Sequence, residues 1–576
     1  MLLTFPTKDL LVRKAYQEPL FEANLLISNH RSLADWNLIP LSRICVVLGP
    51  NSAGKSSIFE ALDILTIFVT QPPYNSPDLE LIQESSRAGG NAPAYGLCAK
   101  YPADSDEIWE YLSTIEDSLI KDIRSSSKEG NFPVFGRIFN DKEFSENLKE
   151  TVYTVLFENV SAKSLDVSIY IDGQLAGTWI ARDGHQKIRI KSFVKKFFIP
   201  DPDQLTNIFD QDADFSYDYY LDGYNPFSND GRPAWPSFVN SASFTYQASN
   251  DDSIDPRLAD ETFALITALF HYPILTLIRK HAWTKGSSPI RDLDSDWFFC
   301  DLGYFASKKN NATYHFKNSP WKKRDSGKNV LAVEAIIQEI AKFKDPRLPD
   351  STMLARINEW IGSKAFLDSG YQIKVGLKIC VPTTDILASG ENAFNLKEKF
   401  EVFEGSYGNT FRQLDPNIEF LARIFLTDKT GRELRFSEVG TGFSQILPIL
   451  TFLNYSSNYV IRQPELHLHP KLQSRVADCI VSRITDDRNE KLNYNILVET
   501  HSEHIVLRFL RRIKDSFKDP LLHTSLTLYP NELSLVYVKP DEDKSRIFLI
   551  RVDSSGEFID GWPDGFFDER DEDLWG

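Results

Sequence analysis

The chain has 576 residues, 42% hydrophobic and 25% charged, the balance of an ordinary globular protein with room for two to four domain-sized units. Its net charge of −17 and pI of about 5.2 argue against a chain coated in nucleic-acid-binding charge and leave room for local basic patches only. Five cysteines, at 45, 98, 300, 380 and 479, are odd in number and lack a C-x-x-C spacing, which fits a reduced compartment. No secretory leader is visible, and apolar runs such as SIFEALDILTIFV carry Glu60 and Asp63 and are too short to span a bilayer. The expectation is a cytoplasmic protein with no membrane contact and no solenoid repeat.

In chain order the first chemistry is CVVLGPNSAGKSS, residues 45–57. Gly49-x-x-x-x-Gly54-Lys55-Ser56 meets every fixed position of the Walker A pattern. Ile44 to Leu48 reads as a strand. Ser57 to Thr70 reads as a helix, with Ile58, Leu62, Leu65 and Val69 on one face. Glycines let the backbone wrap closely round phosphates, and N–H groups at a helix start attract an anion. Lys55 is expected to reach the β- and γ-phosphates and Ser56 to hold Mg²⁺.

Residues 73–284 mix strand-like runs (ETVYTVLFENV; SLDVSIYIDGQLAGTWIA) with a helix-like one, ADETFALITALFHYPILTLIRKHA. The strands are expected to form a β-rich lobe that extends the head sheet and the helix a lid or dimer element, with a hairpin turn at DGQLAG, 172–177. Asp210-x-Asp212-x-Asp214 opens like an EF-hand, but Phe215 and Leu221 stand where glycine and glutamate are needed, so calcium is rejected. Basic clusters occur at 195–198, 321–328 and 508–518. They read as solvated surface charge, with the second suited to DNA backbone contact as the alternative. No H-N-H pattern and no acidic cluster for two metals is found, so any DNA cutting would fall to a partner.

Three stretches near the C-terminus follow. In RFSEVGTGFSQILPIL (435–450), Gly440, Gly442 and Ser444 stand where a helix start could face an anion; a glycine turn before a core helix is the plainer alternative. In NYVIRQPELHLHPKLQ (458–473) a strand over Tyr459 to Ile461 runs into a polar turn. His467 and His469 lack a third ligand at zinc spacing. In NILVETHSEHIVLRFLRRI (495–513) a buried-type strand, Ile496 to Val498, ends in Glu499-Thr500-His501-Ser502 before an amphipathic helix with Arg508, Arg511 and Arg512. Polar groups at the carboxyl end of a strand take the usual ligand position of an open α/β sheet, and Thr500 or Ser502 would also cap the helix.

Walker A, a glycine–serine signature, a strand ending in P-E-L-H-L-H-P and a strand ending in E-T-H-S-E-H together resemble the ABC-type ATPase heads, in the branch of recombination-repair, SMC-like and OLD-like ATPases. The chain is most similar to a bacterial "predicted ATPase" (AAA family ATPase) group, through NHRSLADWNLIPL (29–41), SSPIRDL (287–293) and a tail like GEFIDGWPDGFFDER (556–570). The match covers roughly 1–72, 285–300 and 330–576.

The resemblance implies an α/β fold: a P-loop head with a mixed central sheet, a β-rich lobe and a helical insert. It divides the chain into 1–72 (head with Walker A), 73–284 (insert), 285–520 (head with signature, Walker B and switch histidine) and 521–576 (small C-terminal domain). ATP with Mg²⁺ would be held by Arg31, Gly49, Asn51, Ser52, Gly54, Lys55, Ser56 and Ser57, with Ser56 on the metal. Gly440, Gly442 and Ser444 would cap the γ-phosphate of a nucleotide on a second protomer. Gln463 and Glu465 would lie at the Walker B end and His501 would sense the γ-phosphate. A homodimer or higher assembly is implied.

One residue departs from the pattern. The family's Walker B strand ends in an acid, and here Arg462 precedes Gln463-Pro464-Glu465. A fixed positive charge opposes Mg²⁺. Four outcomes stay open: Arg462 contacts phosphate directly, Glu465 takes over the acidic role, the head hydrolyses ATP very slowly, or Arg462 swings out to pair with Glu499. The expected function is an ATPase that dimerises round nucleotide and gates an effector, a nuclease or toxin, in anti-phage defence or DNA processing. The alternatives are a non-hydrolysing nucleotide sensor or scaffold, and a stand-alone DNA-end-binding repair ATPase.

Overall fold

A computed structural model describes residues 1–17, 21–67, 92–102, 148, 150–161, 164–182, 185–194, 215–220, 269–270, 272–282, 284–287, 302–308, 311–315, 352–364, 366–380, 419–434, 446, 449–450, 453–454, 458–466, 468–489, 495–518 and 526–561. Two compact units emerge: Met1–Lys285 with Lys491–His501 and Leu528–Gly576, and Gly286–Glu490 with Ser502–Thr527. Gly440, Gly442, Ser444, His467, the basic clusters at 195–198 and 321–328, the Asp210–Asp214 run and residues 562–570 of the tail lie outside the described residues.

The first unit opens with β1 (Thr4–Phe5), α1 (Lys8–Gln17), β2 (Ala23–Ser28), β3 (Trp36–Leu41), β4 (Ile44–Leu48) and α2 (Lys55–Ile67). It continues through β5 (Ala94–Lys100), β6 (Val152–Ser161), β7 (Ser164–Ile171), β8 (Gln174–Arg182), β9 (His185–Ile190) and β10 (Phe215–Tyr220). Next come α3 (Tyr272–Leu277), a π-helix (Ile278–Ala282) and β11 (Thr284–Ser287), where the chain passes into the second unit. Nine strands pair in the order β1-β3-β2-β5-β6-β7-β8-β9-β10, antiparallel at each junction. The lobe strands of the long middle region thus continue the sheet that the first strands begin, separately from the sheet that holds β4. Between β7 and β8 the two-residue turn is Asp172-Gly173, both at positive φ (49° and 75°), the geometry that favours Asp-Gly in a tight hairpin.

The helix-like run up to Ala282 is described from Leu269 onward and packs on this lobe. Tyr272 donates its hydroxyl to the Pro102 carbonyl (2.7 Å) and Tyr153 donates to that of Leu269 (2.7 Å). The π-helix reaches α2, and its buried His281 meets the Asn495 amide at 3.3 Å.

The second unit holds β12 (Leu302–Lys308), β13 (Asn311–His315), α4 (Thr352–Gly362), β14 (Gln372–Cys380), β15 (Glu419–Thr427), β16 (Glu433–Leu434), β17 (Asn458–Arg462) and α5 (Pro470–Asn489). The chain then returns to the first unit for β18 (Ile496–Glu499), adds α6 (Glu503–Lys518) to the second, and ends with β19 (Leu533–Asp541) and β20 (Lys544–Ile550) in the first. In the second unit β13-β12-β15-β14 is antiparallel with β16 on β15. Asn358 of α4 clips onto β14, accepting from the Ile373 N–H (2.7 Å) and donating to its carbonyl (3.0 Å).

In α6 the apolar positions Ile505, Val506, Phe509, Leu510 and Ile513 recur at helical spacing and are all buried. Asp478 of α5 is shut off from solvent and accepts from Arg508, Arg512 and Arg475.

The site rests on the second sheet of the first unit. There β4 lies between β18 and β19, parallel to both, with β20 antiparallel outside β19. Strands covered on both faces read as unbroken apolar runs, as Ile44–Leu48 and Ile496–Val498 do. The first residues close the edge: Leu3 donates its N–H to Ile547 (2.7 Å) and Leu549 donates to Met1 (2.8 Å).

Candidate nucleotide site

At the carboxyl end of β4 the chain must leave a crowded strand at once. Gly49 takes φ 142°, and a Cβ there would land on the Val538 carbonyl oxygen of β19. Gly54 takes φ 90°, and its Cβ would land on the Ser32 hydroxyl. Only glycine meets both demands, left-handed backbone and close approach. Between them the loop closes through Ala53 N–H to Pro50 O (3.3 Å) and Ser57 N–H to Gly54 O (3.1 Å). Ser545 of β20 braces it from outside, its hydroxyl donating to Ala53 O (2.7 Å) and its N–H to Ser32 O (2.8 Å).

Lys55 begins α2 and is buried to 5% exposure, its ammonium donating to the carbonyls of Gly49 (3.0 Å) and Pro50 (2.8 Å). Asn51, Ser52 and Ser56 are exposed along the rim, and Ser52 sits at φ 64°. A flexible cation folded into its own glycine loop, beside exposed polar groups and a helix start, has the composition of an anion cradle. The Ser56 hydroxyl on the first turn of α2 is a hard oxygen donor suited to Mg²⁺.

At the end of the neighbouring strand Glu499 and Thr500 are buried, and Thr500 donates to the Val47 carbonyl (3.3 Å). This sets His501 next to the loop's strand. Burial, then the charge of Lys55, pull the His501 imidazole below its ordinary pKa, which keeps it neutral near pH 7. The first unit therefore gathers Gly49, Asn51, Ser52, Gly54, Lys55, Ser56, Ser57 and His501. Arg31 joins them in the turn that carries Ser32 against Gly54.

Gln463 and Glu465 belong to the second unit. Gln463 follows β17 at φ 48°, and the Leu466 N–H donates to its carbonyl (3.2 Å) while Leu468 donates to that of Glu465 (3.0 Å). Arg462, Gln463 and Glu465 are each half-buried in this turn. The His469 ring accepts from the Lys471 N–H (3.3 Å) at the start of α5. Ser502 caps α6, accepting from the Ile505 N–H (3.2 Å) and donating to Gln473 (2.6 Å).

Sequence reasoning missed Ser32, Ser545, His30, Tyr95 and Glu60 as site residues. Glu60 gave one signal, a carboxylate in an otherwise apolar helix run. Its partners in the 29–33 turn, and the Tyr95 hydroxyl on β5 behind His30, needed the fold.

Residues 303–506 match the family model described as "AAA ATPase domain", a span that takes in Gln463, Glu465 and His501 and leaves the phosphate loop outside it. Residues 528–575 match a family described as "Protein of unknown function (DUF3696)", which includes β19, β20 and Ser545. Among curated proteins none matches. Solved structures similar to the chain include an Smc head bound to the C-terminal winged-helix domain of ScpA, at 11% identity and TM-score 0.36, covering 93% of this chain and 98% of that one. The SMC head domain from Thermotoga maritima has 9% identity and TM-score 0.32, covering 92% and 98%. An Smc head with an extended coiled coil bound to the C-terminal domain of ScpA, from Pyrococcus furiosus, has 11% identity and TM-score 0.31, covering 92% and 96%. Likeness at that level supports no residue-to-residue correspondence. Residues 303–506 are thus similar to the AAA ATPase domain family, and the loop between β4 and α2, outside that span, carries the Walker A spacing of P-loop ATPases.

Proposed function

We propose that the chain binds ATP with Mg²⁺ at residues 49–57, dimerises or assembles round the nucleotide, and gates an effector in anti-phage defence or DNA processing. The observation that carries the nucleotide step is the buried Lys55 ammonium held by the carbonyls of Gly49 and Pro50, inside a loop whose two glycines tolerate no Cβ. An arriving triphosphate offers Lys55 stronger, charged acceptors than these neutral carbonyls. Mg²⁺ bound there would offset charge on the β- and γ-phosphate oxygens, and the Ser56 hydroxyl, on the first turn of α2, would hold it. Neutral His501 can accept or donate a hydrogen bond near the terminal phosphate without adding charge. Dimerisation through Gly440, Gly442 and Ser444, and the identity of the effector, rest on the sequence resemblance alone.

A second reading, a nucleotide sensor that binds without turnover, is favoured by Arg462, the last residue of β17, where the resemblance leads one to expect an acid. One experiment separates them: binding and turnover of MgATP by the parent, Lys55→Ala and Arg462→Glu. Binding and turnover in the parent, both lost in Lys55→Ala, support the enzyme. Binding without turnover in the parent, with turnover gained in Arg462→Glu, supports the sensor. Equal binding by Lys55→Ala and the parent sinks both.

A further inference from the structure

We infer that Glu60 is a positioning residue for the nucleotide, holding the Arg31 guanidinium at the flank of the phosphate loop; this rests on the reading of that loop as a triphosphate site. Asn29 and Arg31 take φ 53° and 50°, left-handed values that asparagine accepts readily and that a long side chain such as Arg31 seldom takes without support from its surroundings. His30 and Leu33 fix the turn by exchanging backbone bonds of 3.1 and 2.9 Å. Ser32 docks it on the loop, its hydroxyl against Gly54 and its carbonyl accepting from Ser545 (2.8 Å).

Arg31 is thus delivered beside α2, where its Nε pairs with the Glu60 carboxylate. Glu60 follows Lys55 by five positions on the same helix. Behind it His30 is wholly buried, its Nε2 3.5 Å from Glu60 and its Nδ1 3.0 Å from the Tyr95 hydroxyl on β5. Burial alone would raise the Glu60 pKa, but His30 and Arg31 outweigh it and keep the carboxylate ionised.

An exposed arginine–carboxylate pair by itself contributes little to stability and needs no buried histidine behind it. Here Arg31 remains 45% exposed while the carboxylate oxygen it meets also faces the buried His30 ring from inside the protein. The pairing runs through Nε, and the end-on fork of the two terminal nitrogens is the edge of a guanidinium that would meet a phosphate. Fixing the side chain in advance removes an ordering cost from binding.

The test titrates the full chain with the Mg²⁺ complex of N-methylanthraniloyl-ATP, for the parent, Arg31→Ala, Glu60→Gln, Arg31→Ala/Glu60→Gln, Glu60→Asp, Tyr95→Phe and Lys55→Ala. Arg31→Ala and Glu60→Gln are each expected to weaken affinity by about five- to tenfold, and the double variant by no more than Arg31→Ala alone. Glu60→Asp should recover part of the loss. Tyr95→Phe, which removes one hydroxyl from the anchor and serves if Glu60→Gln fails to fold, should cost about two- to threefold. Undiminished or tighter binding by Glu60→Gln or Tyr95→Phe overturns the inference. So do losses that add in the double variant, the outcome of a merely structural Glu60. Lys55→Ala binding as well as the parent instead removes the triphosphate reading and the inference with it.

Discussion

Arg508 grips Asp478 through two parallel hydrogen bonds, Nε to Oδ1 and Nη2 to Oδ2, both 2.7 Å, with the carboxylate sealed from solvent. Arg512 adds a third contact at 2.8 Å and Arg475 a fourth at 3.3 Å. One buried acid therefore balances three guanidiniums where α5 meets α6. Asp478→Asn should destabilise the second unit by about 3–5 kcal/mol, because it removes the buried charge that the three cations share. Asp515→Asn, whose ion pairs are with the exposed Arg511 and the edge of Arg512, should cost under about 1 kcal/mol. Urea midpoints of the two variants beside the parent check the contrast; equal midpoints would show that the knot is not worth its burial.

Gly49→Ala tests the loop. The new methyl must displace the Val538 carbonyl while the backbone stays at φ 142°. We expect a loss of about 1–3 kcal/mol with nucleotide binding weakened in parallel. Gly431→Ala is the control: its positive φ brings backbone strain alone, with nothing within 4 Å of the added carbon. Thermal unfolding of both variants should show the larger drop for Gly49→Ala.

His281 sets a pH dependence. Burial, helped by Lys280, lowers its pKa to about 3 from an ordinary 6.5. The unfolded chain then binds a proton that the folded chain refuses throughout that window. Stability from this group is fully present above pH 6.5 and falls with acidification, by about 1.4 kcal/mol per pH unit. His281→Gln should flatten the decline between pH 6.5 and 4.5 relative to the parent. Parallel pH profiles would argue against a neutral buried imidazole.

Ser502→Ala removes the cap of α6 and the partner of Gln473. A cost of about 1 kcal/mol is expected, with Ser502→Asp recovering part of it through the same acceptor role. Denaturant midpoints decide, and a neutral alanine would mean the helix start is satisfied otherwise.

What the sequence disclosed was local chemistry. The Walker spacing, the Asp172-Gly173 turn and the apolar runs ending at Arg462 and Glu499 each follow from a few neighbouring residues, and the structure has strands and turns at these places. What stayed hidden depended on distant chain. The spacing asks for glycine at 49, but the carbonyl that forbids a side chain there belongs to Val538. Helix α2 was expected to bury one face. Ile58, Phe59, Ala61, Leu62, Ile64 and Leu65 are all buried, because the helix packs against β2, β5 and the π-helix together. The link from Tyr95 through His30 and Glu60 to Arg31 joins three segments that no short window contains.

The placement of β4 between β18 and β19 has a consequence for biosynthesis. The strand that carries the phosphate loop emerges from the ribosome about 450 residues before one neighbour and about 490 before the other. At about 5–20 residues per second, β4 waits roughly 25–100 s for its sheet. Until then its apolar residues lack their final cover, and Gly49 has no Val538 to press against. A nascent or truncated chain ending before Leu533 therefore holds every letter of the Walker motif and no finished cradle, so nucleotide capture becomes a property of the completed polypeptide.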